Sequence, residues 1–213
     1  MIDTILHNLA WLGHDGFRLT AGGKTIYIDP FQLTGNQPPA DIILVTHAHF
    51  DHCSPDDIDK ISQPSTTIIT GADSAVKLSG RITTVKPGDR ITCDTITVEA
   101  VRAYNTNKKF HPRANDWLGF IVTVDGVRIY HAGDTDHIPE MADIEADIAL
   151  LPVSGTYVMT AEEAAAAAID IHPQVAVPMH FGSIVGEQSD ADLFADKLAG
   201  RIRVHIPQKK DEA

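Results

Sequence analysis

The stretch LVTHAHFDHCSPDD at residues 44–57 holds three histidines and an aspartate within six positions, 47–52. It continues a hydrophobic run at residues 42–46 whose residues favour a β-strand. Imidazole and carboxylate groups suit a borderline divalent ion such as Zn²⁺, and histidines two apart can both face inward where a strand becomes a loop. The H-x-H-x-D-H pattern therefore predicts a metal site, and a polar loop with chance histidines is the weaker interpretation.

Two later segments place ligand-type residues in the same way, directly after a predicted strand. Asp134 follows the strand predicted at 127–131, and His180 follows the strand predicted at 175–179. Because open α/β sheets build their sites outside the carboxyl ends of strands, three such ends can converge on one point. The three segments together predict a single metal centre.

The number of candidate ligands predicts two metal ions at that centre. One ion would take His47, His49 and a third histidine, and the other would take Asp51, His52 and His180, with Asp134 bridging them at ~3.5–4 Å. His111 is the favoured third histidine because it lies in a long polar connection between strands, although a surface loop histidine would look the same. His131 competes for that role, but its place inside a strand favours a supporting position behind the ligands.

Strand and helix signals alternate along the chain and predict an α/β fold with helices outside the sheets. Strands are predicted at residues 26–29, 42–46, 66–70, 96–103, 118–124, 127–131, 148–152 and 175–179. Asp125 and Gly126 predict a two-residue hairpin. Helices are predicted to begin at Ser54 with Pro55 next, at Thr160 with Glu163 in a capping box, and at Ser189, ending near residue 199.

The composition favours a soluble protein that acts on a small molecule. The 213 residues are 43% hydrophobic and show no composition break, which favours one domain over 1–213, and no apolar run approaches the roughly 18 residues of a membrane span. Two cysteines and the absence of a secretory signal favour the cytoplasm. A net charge of −12 opposes binding to nucleic acid or an anionic membrane. Homo-oligomer formation is left open.

These motifs resemble the metallo-β-lactamase fold superfamily of metal-dependent hydrolases over essentially the whole chain. The resemblance is carried by H-x-H-x-D-H at 47–52, G-D at 133–134, the histidine at 180 and YIDP at 27–30. The segments WLGHDGF at 11–17 and IYHAGDTD at 129–136 look closest to a branch related to ascorbate-6-phosphate lactonases and N-acyl-phosphatidylethanolamine phospholipases D. The resemblance implies a four-layer αββα sandwich of two mixed β-sheets flanked by helices.

The chain departs from the family pattern at one metal ligand. The family normally supplies a histidine just before the Gly-Phe strand, and Tyr104 and Asn105 stand where it would first align. Either His111 has taken over this role or the first metal site is weaker.

The expected reaction is hydrolysis of a small ester, lactone or phosphodiester by metal-bound hydroxide. Zn²⁺ is the first choice of ion, with manganese, iron and nickel as alternatives. The candidate catalytic groups are Asp51, which would orient the nucleophile or accept its proton, together with His14 and His131. Asp29 is expected to hold the ligand loop, and Tyr157 to stabilise an oxyanion unless it is only a loop aromatic.

The same motifs are also consistent with three other functions. An RNA- or DNA-processing nuclease of the same fold would need a basic surface. An iron-dependent redox enzyme similar to persulfide dioxygenases would contain iron and consume oxygen. A non-catalytic metal-binding module would have a closed coordination shell, whereas a catalytic site keeps a position open.

Overall fold

Two mixed β-sheets form the centre of the molecule in the computed structural model, which describes residues 1–210. The first sheet contains, in spatial order, β1 (Leu9–Gly13), β2 (Gly16–Ala21), β3 (Lys24–Ile28), β4 (Ile42–Val45), β5 (Thr67–Thr70) and β6 (Arg81–Thr84). The second sheet contains β7 (Arg90–Cys93), β8 (Ile96–Arg102), β9 (Leu118–Val124), β10 (Val127–His131), β11 (Ile148–Pro152), β12 (Val175–Met179) and β13 (Arg203–Val204), again as consecutive neighbours.

Each sheet begins with antiparallel strands and ends with parallel ones. Strands β1 to β3 are antiparallel and β3 to β6 parallel, while β7 to β10 are antiparallel and β10 to β13 parallel. The predicted hairpin between β9 and β10 is present, with Asp125 and Gly126 both at positive φ, 49° and 74°. Ligand-bearing segments at the ends of β4, β10 and β12 are thereby directed to one edge of the sandwich.

Helices cover the outer faces of the sheets. The α-helices among residues 1–210 are α1 (Ile2–Asn8), α2 (Pro55–Ile61), α3 (Ala72–Ala75), α4 (Ala161–Ile171) and α5 (Gln188–Leu198). Short 3-10 turns lie at Arg113–Asn115 and Pro139–Asp143. None of the helices in this described range has the length and apolar character needed to cross a membrane.

Alternate residues of the central strands enter two different hydrophobic layers. In β3, Ile26 and Ile28 belong to the large core that joins the two sheets, whereas Tyr27 packs in a smaller cluster with Ile58 and Ile61 of α2. Fully burying an isoleucine stabilises the fold by roughly 1.5–3 kcal/mol. Because both faces of the central parallel strands β4, β11 and β12 are buried, these three strands are apolar throughout and easy to recognise in the sequence.

The αββα fold class is confirmed, with corrections in the elements. The hairpin β1–β2, the strands β6, β7 and β13, and the helices α1 and α3 are additional to the predicted elements, and each strand or helix among them contains two to seven residues. Helix α5 begins two residues earlier than predicted, because its cap is Glu187 and not Ser189, and the Glu187 N–H donates to Asp190 Oδ2 at 2.8 Å. Ser54 stands at the predicted cap position of α2, but its hydroxyl donates to Asp57 Oδ2 at 2.8 Å.

The capping box of α4 is present as predicted. Thr160 N–H donates to Glu163 Oε2 at 2.9 Å, and Glu163 N–H donates to Thr160 Oγ1 at 3.2 Å. The prediction of one domain over 1–213 stays a prediction, and its last three residues lie outside the described range.

Candidate metal centre

Asp134 lies at the meeting point of four histidines from three other segments of the chain. Its Oδ2 is 4.0 Å from His47 Nε2, 3.1 Å from His111 Nε2 and 3.4 Å from His180 Nε2. Its Oδ1 is 3.3 Å from His52 Nε2. The structure thus brings together the ligand loop, the turn after β10, the 103–117 connection and the end of β12, as the strand-end argument predicts.

The backbone before Asp134 requires a glycine. Gly133 has φ 63°, and a Cβ at this position would lie 2.6 Å from the backbone oxygen of Leu118. A side chain would therefore combine an unfavourable φ with a backbone clash. This close approach to β9 allows the chain to turn sharply after β10 and places the carboxylate of Asp134 inside the centre.

The outer cluster consists of His47, His49 and His111. One ring nitrogen from each lies within 4.8 Å of the others, and His47 Nε2 is 3.0 Å from His49 Nδ1. His47 and His111 are buried and His49 is partly exposed. The Trp117 ring packs against all three at centroid distances of 4.7, 4.8 and 5.3 Å. Three imidazoles backed by one indole form a nitrogen donor set open on one side.

Asn105 holds His111 in place. Asn105 Oδ1 accepts the backbone N–H of His111 at 3.0 Å and lies 3.1 Å from His111 Nδ1. Asn105 Nδ2 in turn donates to Asp136 Oδ1 at 3.1 Å and to the backbone oxygen of Tyr157 at 2.8 Å. With Nδ1–H donating to the amide oxygen, Nε2 of His111 keeps its lone pair directed at the centre. Asn105, one of the two residues that stand where the family has a histidine, therefore orients His111, six positions later.

The inner cluster consists of His52, Asp134 and His180, together with His14 and Asp15. Donor atoms of Asp15, His52, Asp134 and His180 all lie within 4.8 Å of one another, as do those of His14, His52 and His180. All five side chains are buried. Sequence reasoning missed Asp15, although an acidic residue at a strand end beside His14 was the available signal.

Asp51 lies at the opening of the inner cluster. Its Oδ2 is 3.1 Å from His14 Nε2 and 3.8 Å from His52 Nε2. Its side chain is 15% exposed. Burial would raise the pKa of Asp51, but the His14 hydrogen bond and the nearby His52 hold that pKa below its usual value. The carboxylates of Asp51 and Asp15 lie 3.8 and 3.9 Å from the His52 ring nitrogens, so either one could hold a metal ion together with this histidine.

The charges in the centre reinforce one another. Burial would raise the pKa of Asp134, yet the adjacent His52 and His180 hold that pKa well below its usual value. Burial would lower the pKa of His180, but Asp134 and Asp15 raise it to about 8. Burial lowers the pKa of His47 well below its usual value, so that its imidazole is neutral and able to ligate a metal.

The unpaired polar atoms of the centre fit a metal ion. Within residues 1–210, eight buried side-chain nitrogen or oxygen atoms lack a hydrogen-bond partner, and six of them lie here. They are His14 Nδ1, both Asp15 oxygens, His52 Nε2, His111 Nε2 and Asp134 Oδ1. Burying such atoms without a partner is costly, and coordination to a cation would remove that cost. The donor set of imidazoles and carboxylates suits a divalent transition metal.

The predicted supporting residues have different positions. Asp29 accepts from Thr46 N–H at 2.8 Å and from Thr46 Oγ1 at 2.6 Å, and its Oδ2 lies 2.7 Å from His52 Nδ1. These contacts attach Asp29 to Thr46 and His52, and its role in holding the ligand loop stays a prediction. His131 is not brought among the ligand side chains, since its Nε2 is 2.9 Å from the backbone oxygen of Asp15 and its Nδ1 accepts Gly133 N–H at 3.2 Å. Cys53 packs in the smaller hydrophobic cluster, and burial raises the pKa of its thiol to about 11.

A cavity of about 270 Å³ opens onto both clusters. Its lining is His49, Phe50, Asp51, Phe110, His111, Asp134, Tyr157 and Ile184. Tyr157 has φ 69° and packs edge-on against Phe110 with centroids 4.5 Å apart. The cavity gives a small molecule access to Asp51 and Asp134, the predicted catalytic and bridging carboxylates.

The chain belongs to the beta-lactamase superfamily. The family model described as "Beta-lactamase superfamily domain" matches residues 8–180. Relatives from Thermoplasma acidophilum and Methanoculleus marisnigri, both named UPF0173 metal-dependent hydrolases, are 35% and 36% identical to this chain. Each match covers 93% of this chain, and the matches cover 93% of the first relative and 91% of the second.

Solved structures share the same architecture. A Parabacteroides distasonis protein named as a metal-dependent hydrolase superposes with a TM-score of 0.85 at 37% identity, covering 95% of this chain and 93% of its own. Igni18, a metallo hydrolase from Ignicoccus hospitalis, superposes with a TM-score of 0.78 at 25% identity, covering 96% and 95%. The predicted fold and the predicted class of metal-dependent hydrolase are confirmed. The sub-branch, the metal, its stoichiometry and the residue roles stay predictions.

Proposed function

We propose that this protein hydrolyses a small ester, lactone or phosphodiester at a dinuclear metal centre. The observation that carries the proposal is the position of Asp134, one carboxylate within 3.1–4.0 Å of four histidines from three segments of the chain. A structural metal site needs four ligands and is closed. Here eight donor residues lie in neighbouring groups, and His49, Asp51, His111 and Asp134 line a cavity beside them, which favours two ions and an open position.

The two clusters would hold one ion each. The outer cluster would provide three imidazoles, and the inner cluster His52 and His180 with a carboxylate from Asp51 or Asp15, while Asp134 lies between them. Zn²⁺ fits the imidazoles best, and the added carboxylates also suit manganese, iron or nickel. Such a pair of ions lowers the pKa of a coordinated water toward ~7 and polarises the substrate oxygen.

Protein side chains would control the proton in this reaction. The carboxylate of Asp51 faces the cavity and would orient the attacking water and accept its proton as the new bond to carbon or phosphorus forms. His14, hydrogen-bonded to Asp51 at 3.1 Å, would relay that proton to the leaving oxygen as its bond breaks. The Tyr157 hydroxyl, on a side chain that lines the cavity, would donate to the oxyanion.

The cellular setting follows from the same features. We place the protein in the cytoplasm with a small-molecule substrate, since Cys53 and Cys93 are both free thiols, as a reducing compartment would keep them. The net charge of −12 argues against nucleic acid as substrate.

Metal analysis combined with turnover tests the proposal. The purified protein is stripped with a chelator and reloaded separately with zinc, manganese, iron and nickel, and metal content is measured by mass spectrometry. We expect about two equivalents per chain and hydrolysis of at least one compound in a panel of esters, lactones and phosphodiesters. Oxygen consumption with iron would indicate the redox alternative, and tight metal binding without any turnover would indicate a binding module.

A further inference from the structure

The exposed apolar side chains of this protein are concentrated around the metal centre. Within residues 1–210 eight large hydrophobic side chains are exposed, and four of them line the cavity of the centre. These are Phe50, Phe110, Tyr157 and Ile184, which are 68%, 52%, 39% and 40% exposed. Apolar groups that converge on one concave site and surround a few polar groups are typical of a ligand pocket.

The four side chains come from four separate connections. Phe50 belongs to the ligand loop after β4 and Phe110 to the connection after β8, while Tyr157 and Ile184 follow β11 and β12. Together they form the rim of the cavity. Contacts between aromatic rings support this rim, since Phe50 packs edge-on against Phe31 at 5.8 Å and Phe110 against Tyr157 at 4.5 Å. The rim is therefore built by the fold from distant parts of the chain and is already packed before a ligand binds.

The rim offers no cationic group to a charged substrate. None of the eight residues that line the cavity is a lysine or an arginine. The nearby Lys108 is paired with the buried Asp136 at 2.6 Å, and Lys77 donates to the backbone oxygen of Ala48. Recognition of a phosphate or carboxylate group away from the reacting bond usually employs an arginine or lysine. The polar lining is limited to the metal-centre groups and the Tyr157 hydroxyl.

We infer that the substrate is an uncharged carboxylic ester or lactone with an aryl or branched alkyl group next to the scissile bond. This inference rests on the proposed function and specifies its substrate class. The apolar group would lie against Phe50, Phe110 and Ile184 while the ester reaches Asp51 and Asp134. A cavity of about 270 Å³ suits a single ring and a short chain, since it is near the lower end of the range of about 300–1,000 Å³ for ligand pockets.

Two matched esters test this inference with the zinc-loaded full-length protein. Ethyl 3-phenylpropionate and ethyl hydrogen succinate carry the same type of ester bond, but the first presents a phenyl ring and the second a carboxylate. We expect kcat/KM to be at least about tenfold higher for the phenyl ester, and bis(4-nitrophenyl) phosphate to be a poorer substrate than that ester. Equal kcat/KM for the two esters, or a preference for the phosphodiester, would overturn the inference.

Phe110→Ala assigns the preference to the rim. The variant should raise KM for the phenyl ester about tenfold with a small change in kcat, and should leave the succinate ester nearly unaffected. Leu193→Ala removes an equally apolar exposed side chain on α5, outside the cavity, and should leave both esters unchanged. Equal losses on both esters in Phe110→Ala would mean that the ring supports the centre and does not select the substrate.

A binding measurement separates this inference from the proposed function. In saturation-transfer NMR the ketone 1-phenylhexan-3-one, which has CH2 in place of the ester oxygen and no hydrolysable bond, should show strong signals from its ring protons with the wild-type protein and weak signals with Phe110→Ala. If no compound in the panel of esters, lactones and phosphodiesters is hydrolysed, the proposed function fails while the NMR result still decides the inference. Absence of ring signals with the wild-type protein, or signals unchanged in Phe110→Ala, would exclude the apolar subsite.

Discussion

The outer and inner clusters are two halves of one centre with different chemistry. The outer cluster presents only imidazole nitrogens, rests on Trp117 and borders the cavity through His49 and His111. The inner cluster is completely buried and adds carboxylates from Asp15 and Asp134. Nitrogen donors favour zinc, whereas added carboxylates broaden the choice toward manganese and iron. We therefore expect the two proposed metal positions to differ in affinity and in metal preference, although Asp134 lies next to histidines of both clusters.

Asp134→Ala should have the largest effect, because it removes the group shared by the two clusters. We expect metal content to fall from about two equivalents toward zero and turnover to fall below detection. Asp196→Ala, on the exposed side of α5, is the matched control and should keep both. Full metal content and full activity in Asp134→Ala would remove the bridging role and with it the link between the clusters.

His111→Ala and His180→Ala should separate the clusters. Each variant should lose about one metal equivalent, His111→Ala from the outer position and His180→Ala from the inner one, and each should lose most of its turnover. Reloading with mixtures of zinc and manganese then shows which position accepts manganese, with His7→Ala as the surface control. If both variants lose both ions together, the positions are not independent and the comparison fails.

Asp15→Asn and Asp51→Asn should identify the carboxylate of the inner position. If Asp15 is the ligand, Asp15→Asn lowers inner metal affinity while Asp51→Asn keeps the metal and lowers kcat by about 10²–10⁴-fold, the range typical of an acid–base group. Isothermal titration with zinc and steady-state kinetics on the same samples distinguish the two residues. The reverse pattern would assign ligation to Asp51, as the sequence motif predicts.

Asn105→Ala should weaken only the outer position. Loss of the amide oxygen frees the His111 ring to rotate and change tautomer, and loss of such a supporting hydrogen bond typically lowers metal affinity about 10–100-fold. Competition with a chelator measures this change. Asn107→Ala, which removes an exposed amide from the same connection, is the control, and equal weakening in that variant would indicate a general effect of the loop.

Asp57→Asn should change stability without changing either cluster. Burial would raise the pKa of Asp57, but its ion pair with Lys60 and hydrogen bonds from Ser54 and the Leu33 and Gln32 amides hold it below the usual value. A lowered folded-state pKa stabilises the fold above the unfolded value, near ~4, and this contribution disappears as pH falls through the folded value.

Urea unfolding measures this effect as a function of pH. The wild-type protein should exceed Asp57→Asn by about 1–3 kcal/mol at pH 7, and the difference should shrink below pH ~4. Asp56→Asn, at the exposed neighbouring position of α2, should show no such difference. Altered metal content in Asp57→Asn would show that α2 also shapes the centre.

Prediction from sequence succeeded where the signal is local. The apolar runs predicted the central strands. The H-x-H-x-D-H loop and the Gly-Asp pair at 133–134 each follow such a run directly, so their position at the ends of strands could be inferred. Asp15 carries only the weak signal of an acidic residue at a strand end beside His14, and Asn105 carries no ligand pattern, because both are defined by the side chains that they meet across the fold. His131 shows the opposite case, since its position near the G-D motif suggested a catalytic role, while its two ring nitrogens contact backbone atoms and its ring packs against Phe17.

The sequence by itself determined the donor types, their order along the chain and an α/β fold with helices outside the sheets, while the four-layer αββα arrangement was implied by the resemblance of its motifs to the metallo-β-lactamase fold superfamily. Covalent order and hydrophobic alternation are local properties, which a single chain displays without its fold. Only the tertiary structure decided which donors share a cluster, which histidine completes the outer position and which apolar side chains surround the cavity. Those relations depend on distances between residues far apart in sequence, and packing of the two sheets sets them.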